Sequence, residues 1–222
     1  MMKERIDDRL YLEKVEKIGN ICKELGVLVP VSFWNFKVEG GEEVSFVSQS
    51  FTNNARRLMA SVALNYALTR TVSLMELRVR TIENSLQAPT IARLHDDFSI
   101  GGAGVVNQGI IIGTSNALEN PESPALITPI PEGTATGQVQ YQAHHEFTIH
   151  NNTAMSRLEV TQSRRFLNNS GGAIDVNEVG LYYFDGSLGM SYMMIRDQLP
   201  ATVTIPNAGQ LTVTLLKTVP NW

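Results

Sequence analysis

From residue 138 to 150 apolar and polar side chains alternate one for one. Val139, Tyr141, Ala143, His145, Phe147 and Ile149 fall on one face, and Gln138, Gln140, Gln142, His144, Glu146, Thr148 and His150 on the other. A period of two belongs to a β-strand with one face against a core. The same period recurs at Met75, Leu77 and Val79 against Glu76, Arg78 and Arg80. Ile110-Ile111-Ile112, bracketed by Gly109 and Gly113, reads as a strand buried on both faces. Val27–Trp34 and Val44–Ser48 read as two short strands about a turn at Gly40-Gly41.

The last third of the chain is the densest in strand signals. Asn168-Asn-Ser-Gly-Gly172 reads as a hairpin turn, Asp185-Gly186 as a second tight turn and Pro206-Asn-Ala-Gly209 as a third. Between the first two, Ile174 and Val176 share a phase, but Val179, Leu181 and Tyr183 are in the opposite one. A slip of one residue predicts a β-bulge near Asn177-Glu178. It also turns Tyr183 inward and Tyr182 outward.

Two segments carry the helical period instead. Over residues 4–25, Tyr11, Val15, Ile18, Cys22 and Leu25 recur at steps of four and three, with Asp7 and Asp8 at the start and Gly26 and Pro30 after the end. Over residues 52–68, Ala55, Met59, Val62 and Tyr66 form a stripe behind a Thr52 or Asn53 cap. Residues 114–136 have four prolines and little periodicity, and read as a long surface loop suited to contacts. The expected fold is mainly β: an antiparallel, jelly-roll-like β-sandwich over residues 31–222, preceded by a helical attachment segment over residues 1–30, with one further helix near 52–68.

Composition changes this picture little. The chain of 222 residues is 43% hydrophobic and 18% charged, in the range of folded proteins. A net charge of −4 argues against nucleic acid or an acidic membrane as partner. The basic doublets Arg56-Arg57 and Arg164-Arg165 read as solvated surface or subunit salt bridges. The single cysteine, Cys22, excludes an internal disulfide. The charged start carries no secretory pattern, and no apolar run is long enough to span a bilayer, so synthesis in a cytoplasm is expected.

Chemistry is sparse. His144-His145-Glu146 and His150 miss the zinc-protease spacing by one residue and lie on a strand rather than a helix. On a strand His144, Glu146 and His150 would share a face, but a polar outer face explains them as well. His95-Asp96-Asp97 reads as an exposed loop. Cys22 has no histidine near it in sequence, no Gly-x-Ser-x-Gly elbow occurs, and Gly101-Gly-Ala-Gly104 lacks the Lys-Ser/Thr of a phosphate loop, leaving a flexible loop. No catalytic residue, cofactor or metal site is expected. Trp34, Phe36, Tyr182, Tyr183, Tyr192 and Trp222 would serve a sugar-stacking surface if exposed, and core packing if not.

Four stations carry a resemblance. They are Ser48-Gln-Ser-Phe51 with Asn53-Asn54; Gly109-Ile-Ile-Ile-Gly-Thr114; Pro129-Ile-Pro-Glu-Gly133 with Gly137-Gln-Val-Gln-Tyr141; and Arg165-Phe-Leu-Asn-Asn-Ser-Gly171, followed by Glu178-Val-Gly-Leu181, Ile195-Arg-Asp197 and Pro206-Asn-Ala-Gly-Gln-Leu-Thr-Val213. Over residues 45–218 the chain resembles a loosely defined family of structural proteins from tailed bacteriophages. The resemblance implies a non-enzymatic virion subunit, in head decoration, neck or tail, whose partners are other copies of itself and other virion proteins. The expected interface residues are Tyr11, Val15, Ile18 and Leu25 of the first helix, and Trp222 as an aromatic anchor. The alternative is a β-sandwich module that binds host glycans.

Overall fold

The structure, a computed structural model, describes residues 31–48, 77–78, 86–87, 100–118, 120, 123–152, 157–185 and 189–220. Both expected helices lie outside these residues, as do Tyr11, Val15, Ile18, Cys22, Leu25, His95 and Trp222.

Among the described residues ten strands are formed: β1 (Val31–Val38), β2 (Glu43–Val47), β3 (Leu77–Arg78), β4 (Leu86–Gln87), β5 (Gly109–Gly113), β6 (Gln140–Asn152), β7 (Arg157–Asn168), β8 (Ile174–Asp185), β9 (Met190–Ile205) and β10 (Gly209–Pro220). They make a five-stranded sheet in the order β2-β1-β10-β7-β6, a three-stranded sheet β5-β8-β9, and the short pair β3-β4. All pairings between these strands are antiparallel. Trp34, Phe36, Leu211, Val213, Leu215 and Phe166 of the larger sheet join Ile110–Ile112, Val179, Leu181, Tyr192 and Ile195 of the smaller in one apolar core. The fold is mainly β, two packed antiparallel sheets, as the alternation implies.

Two expected turns have a different role. Residues 168–172 do not close a hairpin, because β7 lies in the larger sheet and β8 in the smaller. The turn at 206–209 likewise carries the chain from β9 back to β10 in the larger sheet. Residues 157–185 nevertheless pair with 190–220 in both sheets, β7 with β10 and β8 with β9. The last third of the chain is therefore one long antiparallel ribbon, closed at its tip beyond Asp185 and folded over at its middle. Tight turns at 168–172 and 206–209 look alike in sequence whether they reverse a strand within a sheet or carry it between sheets.

Asn168 sits at the crease, fully buried. Its amide nitrogen donates to the carbonyls of Gly172 (2.8 Å), Ile205 (2.9 Å) and Pro206 (3.1 Å). Its side-chain oxygen accepts from the Ser170 amide and hydroxyl. Its main-chain carbonyl accepts from Ala208, and Asn207 accepts from Gly171. Both limbs of the ribbon are thus tied to each other where they leave the sheet ladder, where buried carbonyls would otherwise lack donors.

The bulge lies where the phase slip puts it, between Val176 and Glu178. The extra residues are on the partner strand: Asn177 alone stands opposite Leu199-Pro200-Ala201-Thr202. Pro200 has no amide for the ladder, so β9 loops out there, and Thr202 donates its hydroxyl to Asn177 at 2.7 Å.

The alternation in β6 fails at its midpoint. Register shifts flank His144, leaving Ala143 exposed and His144 partly buried. Tyr182 faces outward from the smaller sheet as the phase predicts, its hydroxyl accepting from the Leu126 amide, but it is buried because that outer face is covered as well.

Asn168→Asp keeps the shape but removes the donors to three carbonyls. It is expected to lower the unfolding free energy by about 3 kcal/mol, measured by urea denaturation. Lys217 continues the inward row of β10 after Leu215, and burial pushes its ammonium down to about 8 from 10.5. The charged form is penalised in the folded state below that pH, and the penalty is relieved as pH rises toward 10.5. The unfolding free energy of the wild type relative to Lys217→Met should therefore rise between pH 8 and 10.5.

Candidate functional site

The smaller sheet has two faces with different tasks, and consecutive residues of β9 divide them. Asp197 points toward the larger sheet and accepts from Trp34 Nε1 (2.7 Å) and Ser48 Oγ (2.6 Å). Arg196 points the other way, paired with Glu178 of β8: Nε and Nη2 each lie 3.0 Å from Oε2. Both partners of this ion pair are buried.

Residues 114–118 and 123–130 form a strap across that outer face, and the ion pair holds it from beneath. Arg196 donates Nη1 to the carbonyl of Leu118 (3.3 Å) and Nη2 to that of Ala117 (3.1 Å). Glu178 accepts from the amides of Ile127 (3.3 Å) and Thr128 (2.8 Å). Gln198 donates to Asn116, Asn177 donates to Thr114, and the Leu126 amide donates to the Tyr182 hydroxyl. The Leu126 side chain lies against Gly180, and a Cβ on Gly113 would meet Glu178 and the Thr128 carbonyl at 2.6–2.7 Å. Glycine at 113 is what lets the strap approach. The strap then pairs onto the edge of β5 through Thr114 with Thr128 and Ile130 with Ile112. The described residues between 114 and 136 are irregular, as expected, but they are anchored, with Leu126 and Ile130 in the core.

The strap displays two apolar side chains. Leu118 is 86% exposed and Ile127 51%. They are two of the four residues whose main-chain groups the buried ion pair grips. Fixing the backbone from below holds both side chains toward solvent at little further entropic cost on contact.

A second buried arginine holds a second loop. Arg164, expected on the surface, is fully buried. It donates to the carbonyls of Gln142 (2.9 Å), Gln108 (3.1 Å), Ile110 (3.0 Å), Gly102 (2.8 Å) and Val105 (2.6 Å). Its guanidinium lies 4.8 Å from the Tyr141 ring centroid, over the ring. Burial pushes its pKa well down, to about 10, an effect that Tyr141 and Glu132 oppose. Residues 100–110 thus wrap a guanidinium rather than forming the flexible loop their glycines suggest. A Cβ on Gly101 would meet the Gln108 carbonyl at 2.6 Å.

The remaining sequence candidates sort accordingly. Trp34, Phe36, Tyr182, Tyr183 and Tyr192 are all core residues and make no surface platform. His144 is occupied with Gly101, whereas His150 is exposed, and among the described residues no cluster of three metal-ligating side chains occurs. The expected interface residues Tyr11, Val15, Ile18, Leu25 and Trp222 lie outside the described residues. Sequence reasoning did not find the strap's anchors, since Glu178 and Arg196 lie 18 residues apart on different strands. Their signal was a charge of each sign inside otherwise apolar strands.

Comparison with protein-family models, curated proteins and solved structures returns no match to this chain.

Removing one partner of a buried ion pair strands the other. Glu178→Ala should cost about 3–5 kcal/mol, measured by denaturant unfolding. Glu178→Leu combined with Arg196→Met should recover part of that loss. The amides of Ile127 and Thr128 should still exchange faster than in the wild type, because they lose their carboxylate acceptor in either case.

Proposed function

We propose that this protein is a non-enzymatic structural subunit of a tailed phage particle, in head decoration, neck or tail, working through contacts with copies of itself and other virion proteins. Its sandwich is of the jelly-roll kind, built around a folded ribbon, and the assembled virion is its place of action. The observation that carries the reading is the strap: a buried ion pair fixes the backbone beneath two exposed apolar side chains, an arrangement suited to rigid contact. The ordered motif string supports it too, because the polar groups in that string hold backbone together. Arg196 and Glu178 hold the strap, Asp197 joins the sheets and Asn168 holds the crease.

The glycan-binding alternative draws less support, since five of its six aromatic candidates are buried. The oligomer is the direct test. Size-exclusion chromatography with light scattering should find a defined multimer. Leu118→Asp with Ile127→Asp should shift it toward smaller species with an unchanged circular dichroism spectrum. A monomer at tens of micromolar that binds a defined sugar would contradict the proposal.

A further inference from the structure

β6 ends the larger sheet, and the two halves of its outer edge differ. Along the first half the edge is taken by the 100–104 loop. The Gly104 amide donates to the Tyr141 carbonyl (2.8 Å), and the His144 amide donates to the Gly101 carbonyl (3.1 Å). Beyond His144, no main-chain group among the described residues pairs with β6 on this side. Which groups point outward there follows from β7, whose ladder with β10 runs without a shift. Gln162, opposite Phe147, is in phase with Phe166, opposite Tyr141. Phe147, Ile149 and Asn151 therefore turn their N–H and C=O groups outward, as Tyr141 does.

Folded proteins normally blunt such edges with bulges, proline, lysine or a covering loop. The other edges here are managed. The strap pairs with β5 through Thr114 and Ile130. β9 loops out at Pro200 and is buried from Ser191 to Asp197. β2 is five residues long and starts at Glu43. Residues 146–152 of β6, Glu-Phe-Thr-Ile-His-Asn-Asn, contain neither lysine nor proline, and the register shifts end at Glu146.

This stretch is complementary to itself. In an antiparallel pair with its two-fold axis at Thr148, Glu146 stands opposite His150 of the second copy, Phe147 opposite Ile149, and Thr148 opposite Thr148. These are an acid with a base, an aromatic with a β-branched residue, and two hydroxyls, all cross-strand pairs that stabilise a sheet. An axis at Ile149 would instead set Phe147 against Asn151 and Glu146 against Asn152. Thr148 and His150 are exposed, as the pairing requires.

We propose that β6 is a self-association edge: residues 146–150 of two copies pair antiparallel about Thr148 and join the two larger sheets into one. Phe147 and Ile149 exchange main-chain bonds across the axis in both directions, about four in all. The inference rests on the reading that this chain works through contacts with its own copies, and it uses different residues from the strap's Leu118 and Ile127.

Position 148 meets itself across the axis, and that makes the test specific. Thr148→Lys sets like charges opposite each other and should raise the dissociation constant of the two-fold contact at least tenfold, read by light scattering over a concentration series. Thr148→Glu should do the same, and an equimolar mixture of the two variants should recover the contact. In a Cys22→Ser background, Thr148→Cys should form an intermolecular disulfide under mild oxidation, since such a pair brings its Cα atoms to about 4.5 Å. His150→Cys, opposite Glu146, should not. A monomeric wild type overturns both this inference and the assembly reading. A wild-type multimer indifferent to Thr148→Lys overturns this inference alone, as does a mixture that fails to recover the contact. A Thr148→Cys chain that stays uncrosslinked also overturns it, and that variant keeps the proposal falsifiable if the charged ones fail to fold.

Discussion

Everything in this molecule is organised by the crease at Asn168. A two-stranded ribbon that leaves one sheet and enters another must break its ladder in both limbs at once, and the carbonyls exposed there are buried. A single carboxamide meets the need, with its nitrogen donating across to the second limb and its oxygen accepting within the first. With the crease fixed, the two halves of the ribbon face each other. β1 and β2 then extend one sheet and β5 the other.

A second rule governs the charges. Arg164, Glu178, Arg196 and Asp197 are all buried, and the partners given above are mostly main-chain carbonyls and amides or an indole. Such groups are costly to bury and are tolerated when their hydrogen bonds are complete. What they provide here is definition of irregular chain. The loop at 100–110 and the described strap residues, 114–118 and 123–130, have little internal pairing, and each is moulded on an arginine fixed in a strand. Rigid loops of irregular shape suit the contact role proposed above, and the strap's two exposed apolar residues lie on the anchored part of one of them.

Legibility followed the physics of each signal. Alternation gave the strands of the last third and the phase slip at Asn177, because the period of two is local. It could not tell a hairpin from a crossing between sheets at 168–172, since both need the same turn residues. It put Tyr182 on the outer face but could not show that this face is covered, and it misread His144 because a register shift reverses every side chain beyond it. The charged doublet Arg164-Arg165 was half legible: the second arginine is exposed and the first is not. No local pattern distinguishes them, since the burial of Arg164 depends on a loop more than fifty residues earlier. The helical segments and Trp222, on which the sequence placed the interface, lie outside the described residues.

The amides of Ser170, Gly171 and Ala208 test the central claim most directly. They lie in short turns, and Gly171 and Ala208 are exposed, where turn amides ordinarily exchange by local fraying. If the crease organises the fold, native-state hydrogen exchange should find all three opening only with global unfolding, at the free energy of the β8 and β10 ladder amides. Exchange of these amides by local opening, with both ladders still protected, would contradict the account.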